Sequence, residues 1–203
     1  NLVETFYKYP QYRGREGKVL SLAERVNNCI MRPHNGKPLP LSSKEMIAYL
    51  SYIKWLADQV PDSVKIIGSE AFQINFPNSR SDAKKGEELY KVHCIRCHGN
   101  HGEGMFNKNQ TTYIYPPLWG NQSYQPGSSM HRIIKQAQWL KTNMPQDKVT
   151  WDKSLLTDEE ALNIAAFVND DKIHSRPKTD ALDYPNPKDK AIDYGFAPYI
   201  DTF

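Results

Sequence analysis

Apolar residues recur at helical spacing in five stretches of the chain. Ser21 to Glu24 has the form of a capping box and opens a stripe of Leu22, Val26, Cys29 and Ile30. The same form recurs at Ser42 to Glu45, ahead of Met46, Leu50, Ile53, Ala57 and Val60, and at Thr157 to Glu160, ahead of Ala161, Ile164, Ala165 and Val168. A fourth helix is predicted around Met130, Ile133, Ile134, Ala137 and Leu140, with Ser128 and Ser129 as caps. A fifth, weaker one runs from Asp82 towards His93, with Gly86, Leu89 and Tyr90 on its apolar side. Strand signals are sparse, so the pattern reads as all-α. Pro61, Gly68, Pro77, Asn78 and Ser79 separate the second helix from Asp82 and mark a domain boundary. After Asp171 the chain turns to Pro, Asp and Lys, with Pro177, Pro185, Pro187, Tyr194, Pro198 and Tyr199. This tail has no helical period and is expected to wrap over the surface on its aromatics or to be partly disordered.

A length of 203 residues allows one large domain or two small ones. Four Trp, twelve Tyr and seven Phe exclude collagen, a long coiled coil and full disorder. No run of about 18 apolar residues exists, which excludes a helical membrane span. Three cysteines are too few for a disulfide scaffold and cannot all pair, so each needs its own explanation. The net charge of +3 is unevenly placed. Residues 1–40 hold seven Lys or Arg against three Glu, whereas residues 81–203 hold fifteen basic and sixteen acidic side chains. No basic repeat with interleaved aromatics supports nucleic acid as partner of the N-terminal surplus. A small anion suits it, because a few Arg focus field on a dianion.

Cys94-Ile95-Arg96-Cys97-His98 is the spacing of a c-type haem attachment run. Two thiols separated by two residues reach the two vinyl groups of one haem, and the following His is then held under the iron. A dithiol redox pair would expect a strand before the motif, where a helix is predicted here. A structural zinc site would need a second ligand pair, and the remaining Cys29 is far upstream. For the sixth ligand, Met105 is too close to His98 to cross to the other haem face. Met144, just past a helix end, is preferred over Met130 on a helix stripe and over His131, whose plainer explanation is a surface helix His. A carbonyl of Pro116, Pro117 or Leu118 is expected to hold the His98 ring through its other nitrogen. Cys29, with Arg25 four residues before it and Arg32 three after, reads either as a buried free thiol or as a thiolate for metal ligation or sulfur chemistry.

Residues 81–170 resemble a class I cytochrome c domain: a helix with Gly86 and Tyr90, the attachment run, a Pro-Leu loop, Met144 and a closing helix with Ala165, Ala166 and Phe167. That resemblance implies that the first and last helices cross at the small Gly. Further runs carry a second resemblance: Tyr9 to Arg13, Glu16 to Lys18, Ser21-Leu22, Glu24-Arg25, Cys29, Asn35 to Pro40, Tyr115 to Gly120, Asn143-Met144-Pro145 and Tyr194 to Phe203. With these the chain is similar to the thiosulfate dehydrogenase family of dihaem c-type cytochromes. The resemblance implies that Cys29 is the distal ligand of a first, catalytic haem and takes part in sulfur transfer. It implies that Arg15 and Arg25 bind the substrate dianion, with Arg13 and Lys18 beside them, and that Met144 is the distal ligand of the second haem. Some members are thought to offer a Lys before this Met as an alternative ligand, and Asn143 argues against such a switch here.

The expected organisation is therefore two cytochrome c-like domains, the N-terminal one (1–80) incomplete, the second (81–170) with covalent haem c, and an extension (171–203). A second haem is expected in a longer protein, since this sequence has one attachment run and Asn1 is not an initiator Met. Haem attachment outside the cytoplasmic membrane implies an export signal not present here and a periplasmic location. The expected activity is the coupling of two thiosulfates to tetrathionate, or the reverse, with a soluble cytochrome or similar protein as electron partner. The alternative is a one-haem electron carrier or a subunit of a larger respiratory complex.

Overall fold

The computed structural model describes residues 2–61, 64, 66, 72–75, 80–177 and 184–194. Within them the protein is mostly helical, with two small hairpins that the sparse strand signals did not predict. Gln11–Arg13 (β1) pairs antiparallel with Lys18–Leu20 (β2), and Met105–Phe106 (β3) with Tyr113–Tyr115 (β4). Strands of two or three residues are too short to show an alternation, so their signature is invisible in the sequence.

Among the described residues five helices follow the apolar stripes, Leu22–Met31 (α1), Lys44–Asp58 (α2), Ala83–His93 (α3), Ile133–Asn143 (α5) and Asp158–Val168 (α6), and a single turn, Ile95–His98 (α4), follows none of them. The capping boxes of α1 and α6 form as predicted. Ser21 Oγ accepts from the Glu24 amide at 3.2 Å, and the Glu24 carboxylate accepts from the Ser21 amide at 2.8 Å. Thr157 and Glu160 repeat the arrangement. At α2 the cap is Ser43 rather than Ser42: its hydroxyl accepts from the Met46 amide at 3.1 Å. Met130 lies before α5 in the separate 3-10 turn Ser129–His131, capped by Ser128.

The main core lies in the second half of the chain, where α6 packs against α3 and α5. Tyr90, Ala137, Leu140, Leu156, Ala161, Leu162, Ile164, Ala165, Phe167 and Val168 are buried there, each large side chain contributing about 1.5–3 kcal/mol. The crossing of α3 and α6 occurs at Gly86, as the cytochrome resemblance implies. Tyr90 packs beside it against Phe167 and Trp119, with ring centroids 5.4 Å apart in both pairs. Helix α2 buries only Met46, Ile53 and Ala57, and leaves Ile47, Tyr52 and Trp55 more than half exposed.

The described part of the tail joins the two halves. His174 stacks on Trp119 with centroids 3.8 Å apart, and the Ser175 carbonyl accepts from the Gly120 amide at 2.8 Å. Farther on, the Tyr184 amide donates to the Arg15 carbonyl at 2.6 Å, and Asp193 pairs with Arg132 at 2.8 Å. Tyr184 and Tyr194 are buried, at 7% and 5% exposure. The boundary residues Gly68, Pro77, Asn78 and Ser79, and tail residues 195–203 with Pro198 and Tyr199, lie outside the described residues.

Candidate haem centre and anion cavity

The attachment run opens a cavity of about 840 Å³, at the large end of cofactor-sized sites. Cys94, Cys97, His98 and Met144 all line it, with Leu118, Leu140, Leu156, Ile164 and Val168 as apolar wall. Helix α3 ends at His93 and the single turn α4 begins at once, which places both thiols and the imidazole at one edge. His98 is buried, and its Nδ1 lies 2.9 Å from the Pro116 carbonyl oxygen. The Pro-Leu loop thus provides the expected carbonyl, fixing the ring and leaving the other nitrogen for a ligand. Burial holds the His98 pKa below its ordinary value, against the Pro116 contact, so the ring is in its neutral, ligating form.

These residues fit haem c. Burial pushes the Cys94 thiol up to about 12, which is the opposite of the lowered thiol a dithiol oxidoreductase needs and costs a thioether nothing. Among the described residues no group of three or more His, Cys, Asp or Glu is placed to hold a metal ion. Met144 stands at the end of α5 in extended backbone and packs against the main core. Arg96 bridges to Asp147 at 2.6 Å, tying the attachment turn to the loop after Met144. Met130 also lines the cavity. His131 does not: it is buried, with Nδ1 2.9 Å from the Pro126 carbonyl and Nε2 3.0 Å from Asp171, rather than on a helix surface.

A second cavity, of about 380 Å³, is basic. Arg13, Arg15, Arg25, Arg32, Arg132 and Lys135 line it against two carboxylates, Glu16 and Asp189. Arg13 ends β1 and Arg15 lies in the turn to β2, while Arg25 stands on α1 and Arg32 is the cap at its C-terminal end. Arg25 Nη1 donates to Cys29 Sγ at 3.1 Å, so the half-buried thiol sits under a cation of the cavity wall. Glu16 pairs with Arg32 at 2.7 Å and also accepts from Asn28 at 2.8 Å. The Arg15 guanidinium lies against Tyr184 and Tyr194, with both ring centroids at 5.2 Å and the two rings themselves 5.9 Å apart edge to face, and donates to the Tyr184 hydroxyl at 3.2 Å. Lys18 stands apart, more than half exposed and paired with Glu24 at 3.0 Å.

Pro33 lines both cavities, so the loop after α1 separates the basic space from the apolar one. Sequence reasoning missed Arg132, Lys135, Tyr184 and Tyr194. The signal for Tyr184 is faint even in hindsight: a tyrosine at φ 61°, a strained backbone region for a bulky residue, held where it covers Arg15.

Residues 81–168 match the family described as cytochrome c oxidase, cbb3-type, subunit III. The thiosulfate dehydrogenase of Stutzerimonas stutzeri is 35% identical over 174 residues, 86% of this chain and 54% of that protein. That of Allochromatium vinosum is 35% identical over 170 residues, 84% of this chain and 60% of that protein. The solved thiosulfate dehydrogenase (TsdBA) of Marichromatium purpuratum superposes with a TM-score of 0.76 at 30% identity, over 98% of this chain and 42% of that one. The chain thus spans about half the length of the curated relatives it matches. With a haem c attachment run in a cytochrome fold and this likeness along nearly all of its length, the chain belongs to the thiosulfate dehydrogenase family.

Proposed function

We propose that the protein is an exported oxidoreductase that couples two thiosulfates to tetrathionate, or runs the reverse. The observation that carries this reading is that Arg25, one of six basic side chains lining the cavity, also donates to Sγ of Cys29, which is not itself among the lining residues. Two dianions repel each other, and Arg13, Arg15 and Arg25 offset that charge at the place where they must meet.

In the forward direction the Cys29 thiolate forms a sulfur–sulfur bond with the outer sulfur of one thiosulfate, and two electrons leave. The thiolate of a second thiosulfate then attacks that same outer sulfur. The bond to Cys29 breaks, the thiolate is restored and tetrathionate departs, with no net proton exchange. Arg25, at 3.1 Å from the sulfur, places a positive charge beside the atom that forms and breaks the bond. Cys94, Cys97, His98 and Met144 would hold haem c, which would supply one-electron redox chemistry when bound. On this reading residues 1–80 carry the sulfur chemistry, 81–170 the electron transfer and 171–203 the wall over Arg15. The resemblance-implied ligation of a further haem by Cys29, the periplasmic location and a soluble electron acceptor belong to the same proposal.

Thiosulfate-dependent reduction of an artificial acceptor tests it, with Cys29→Ala as control. Turnover in the parent and its loss in the variant support the mechanism. Undiminished turnover in Cys29→Ala overturns it, and an inert parent with a normal haem spectrum favours a plain electron carrier.

A further inference from the structure

Arg176 lies beyond α6, behind the wall of the haem cavity. Its Nη1 donates to the Leu118 carbonyl, and its Nη2 to the Val168 carbonyl and to Asn169 Oδ1, the last at 3.0 Å. The guanidinium carbon stands 4.2 Å from the centroid of the Tyr124 ring. Its Nε is buried without an acceptor among the described residues. Leu118, Tyr124 and Val168 each line the cavity, so the cation is one residue removed from the space on three sides.

Every partner of this guanidinium among the described residues is neutral. Arg176 is half-buried, and three other cations removed from water differ from it: Arg32 pairs with Glu16 at 2.7 Å, Arg132 with Asp193 at 2.8 Å, and Lys141 with Asp158. The Tyr124 phenol is no hidden anion, because burial holds its pKa above the ordinary value. Of the carboxylates on this side, Asp171 is engaged by His131 Nε2 at 3.0 Å and is partly open to water, and Asp170 accepts from the Lys172 amide at 3.0 Å. A positive charge in a medium of low dielectric acts over longer distances than one at the surface. Reduction of a haem iron removes one positive charge, so a nearby uncompensated cation favours the reduced state.

We propose that Arg176 raises the reduction potential of the haem held by Cys94, Cys97 and His98, by placing an unneutralised charge behind the cavity wall. It acts through the wall as a tuning residue and touches neither substrate nor iron. The inference rests on haem c alone and is independent of the sulfur chemistry.

The test is a spectroelectrochemical titration of the haem-loaded protein. Arg176→Met is expected to weaken electron uptake at least tenfold, a fall of about 59 mV for a one-electron couple. Arg176→Lys, which keeps the charge, recovers most of the loss. Asn169→Asp places a carboxylate where Nη2 now donates at 3.0 Å and is expected to lower the potential in the same direction. An unchanged or raised potential in Arg176→Met overturns the proposal. So does an equal fall in Arg176→Lys, which would assign the effect to the hydrogen-bonded fork instead of the charge. Should Arg176→Met fail to assemble, Asn169→Asp decides alone, and an unshifted potential there refutes it.

Discussion

The carbonyl oxygen of Asn163 lies 1.9 Å from the point a Cβ would occupy at Gly86. That point is also 2.8 Å from Phe167 Cβ, so α3 and α6 touch backbone to backbone at the crossing. Gly86→Ala must push the helices apart, and overpacking of this kind costs about 1–3 kcal/mol. The expected result is a lowered melting temperature of the haem-loaded protein. An unchanged melt would show that the helices cross elsewhere.

Met144→Ala is expected to remove the sulfur-to-iron charge-transfer band from the oxidised near-infrared spectrum, whereas Met130→Leu keeps it. Both methionines line the cavity, but only Met144 is presented by extended backbone at a helix end. Survival of the band in Met144→Ala would transfer the role to Met130 or Met105, which also lines the cavity.

Tyr194→Leu removes one of the two rings around Arg15. A cation–π contact at a partly covered site is worth about 1 kcal/mol, so the KM for thiosulfate should rise roughly fivefold with kcat little changed. Tyr184→Phe, which keeps the ring and loses the hydroxyl contact at 3.2 Å, should have a smaller effect. Steady-state kinetics of the two variants would show whether the rings or the hydrogen bond hold the guanidinium.

His174 is buried between Trp119 and Phe167, and its pKa is lowered by burial, against the Phe167 carbonyl contact. The unfolded chain therefore binds a proton more readily than the folded one. Stability is complete above about pH 6.5 and is lost as pH falls from there through the depressed folded value. His174→Phe should flatten that part of a stability–pH curve measured by denaturant melts.

Much of this was legible in the chain. Ser21, Glu24, Thr157 and Glu160 announced two helices because capping is local chemistry between residues three apart. Cys94, Cys97 and His98 announced the haem because attachment demands fixed spacing. The partners of Arg15 were not legible, for Tyr184 is 169 positions away and nothing in its neighbourhood has a period. The 3-10 turn at Ser129–His131 was merged with α5 because its apolar residues continue the same stripe. The cap at Ser43 was missed because Ser42 beside it completes the more familiar pattern.

Pro33 is a wall of the basic cavity and of the apolar one. Where the occupant of one cavity changes the affinity or potential of the other, the linkage is reciprocal. An anion that shifts the equilibrium between oxidised and reduced protein must itself be held more or less tightly, by the same factor, when the oxidation state changes. Substrate affinity measured on the oxidised and on the reduced protein would then form one side of a thermodynamic square, and potentials with and without anion the other. The loop after α1 makes that square a property of this protein.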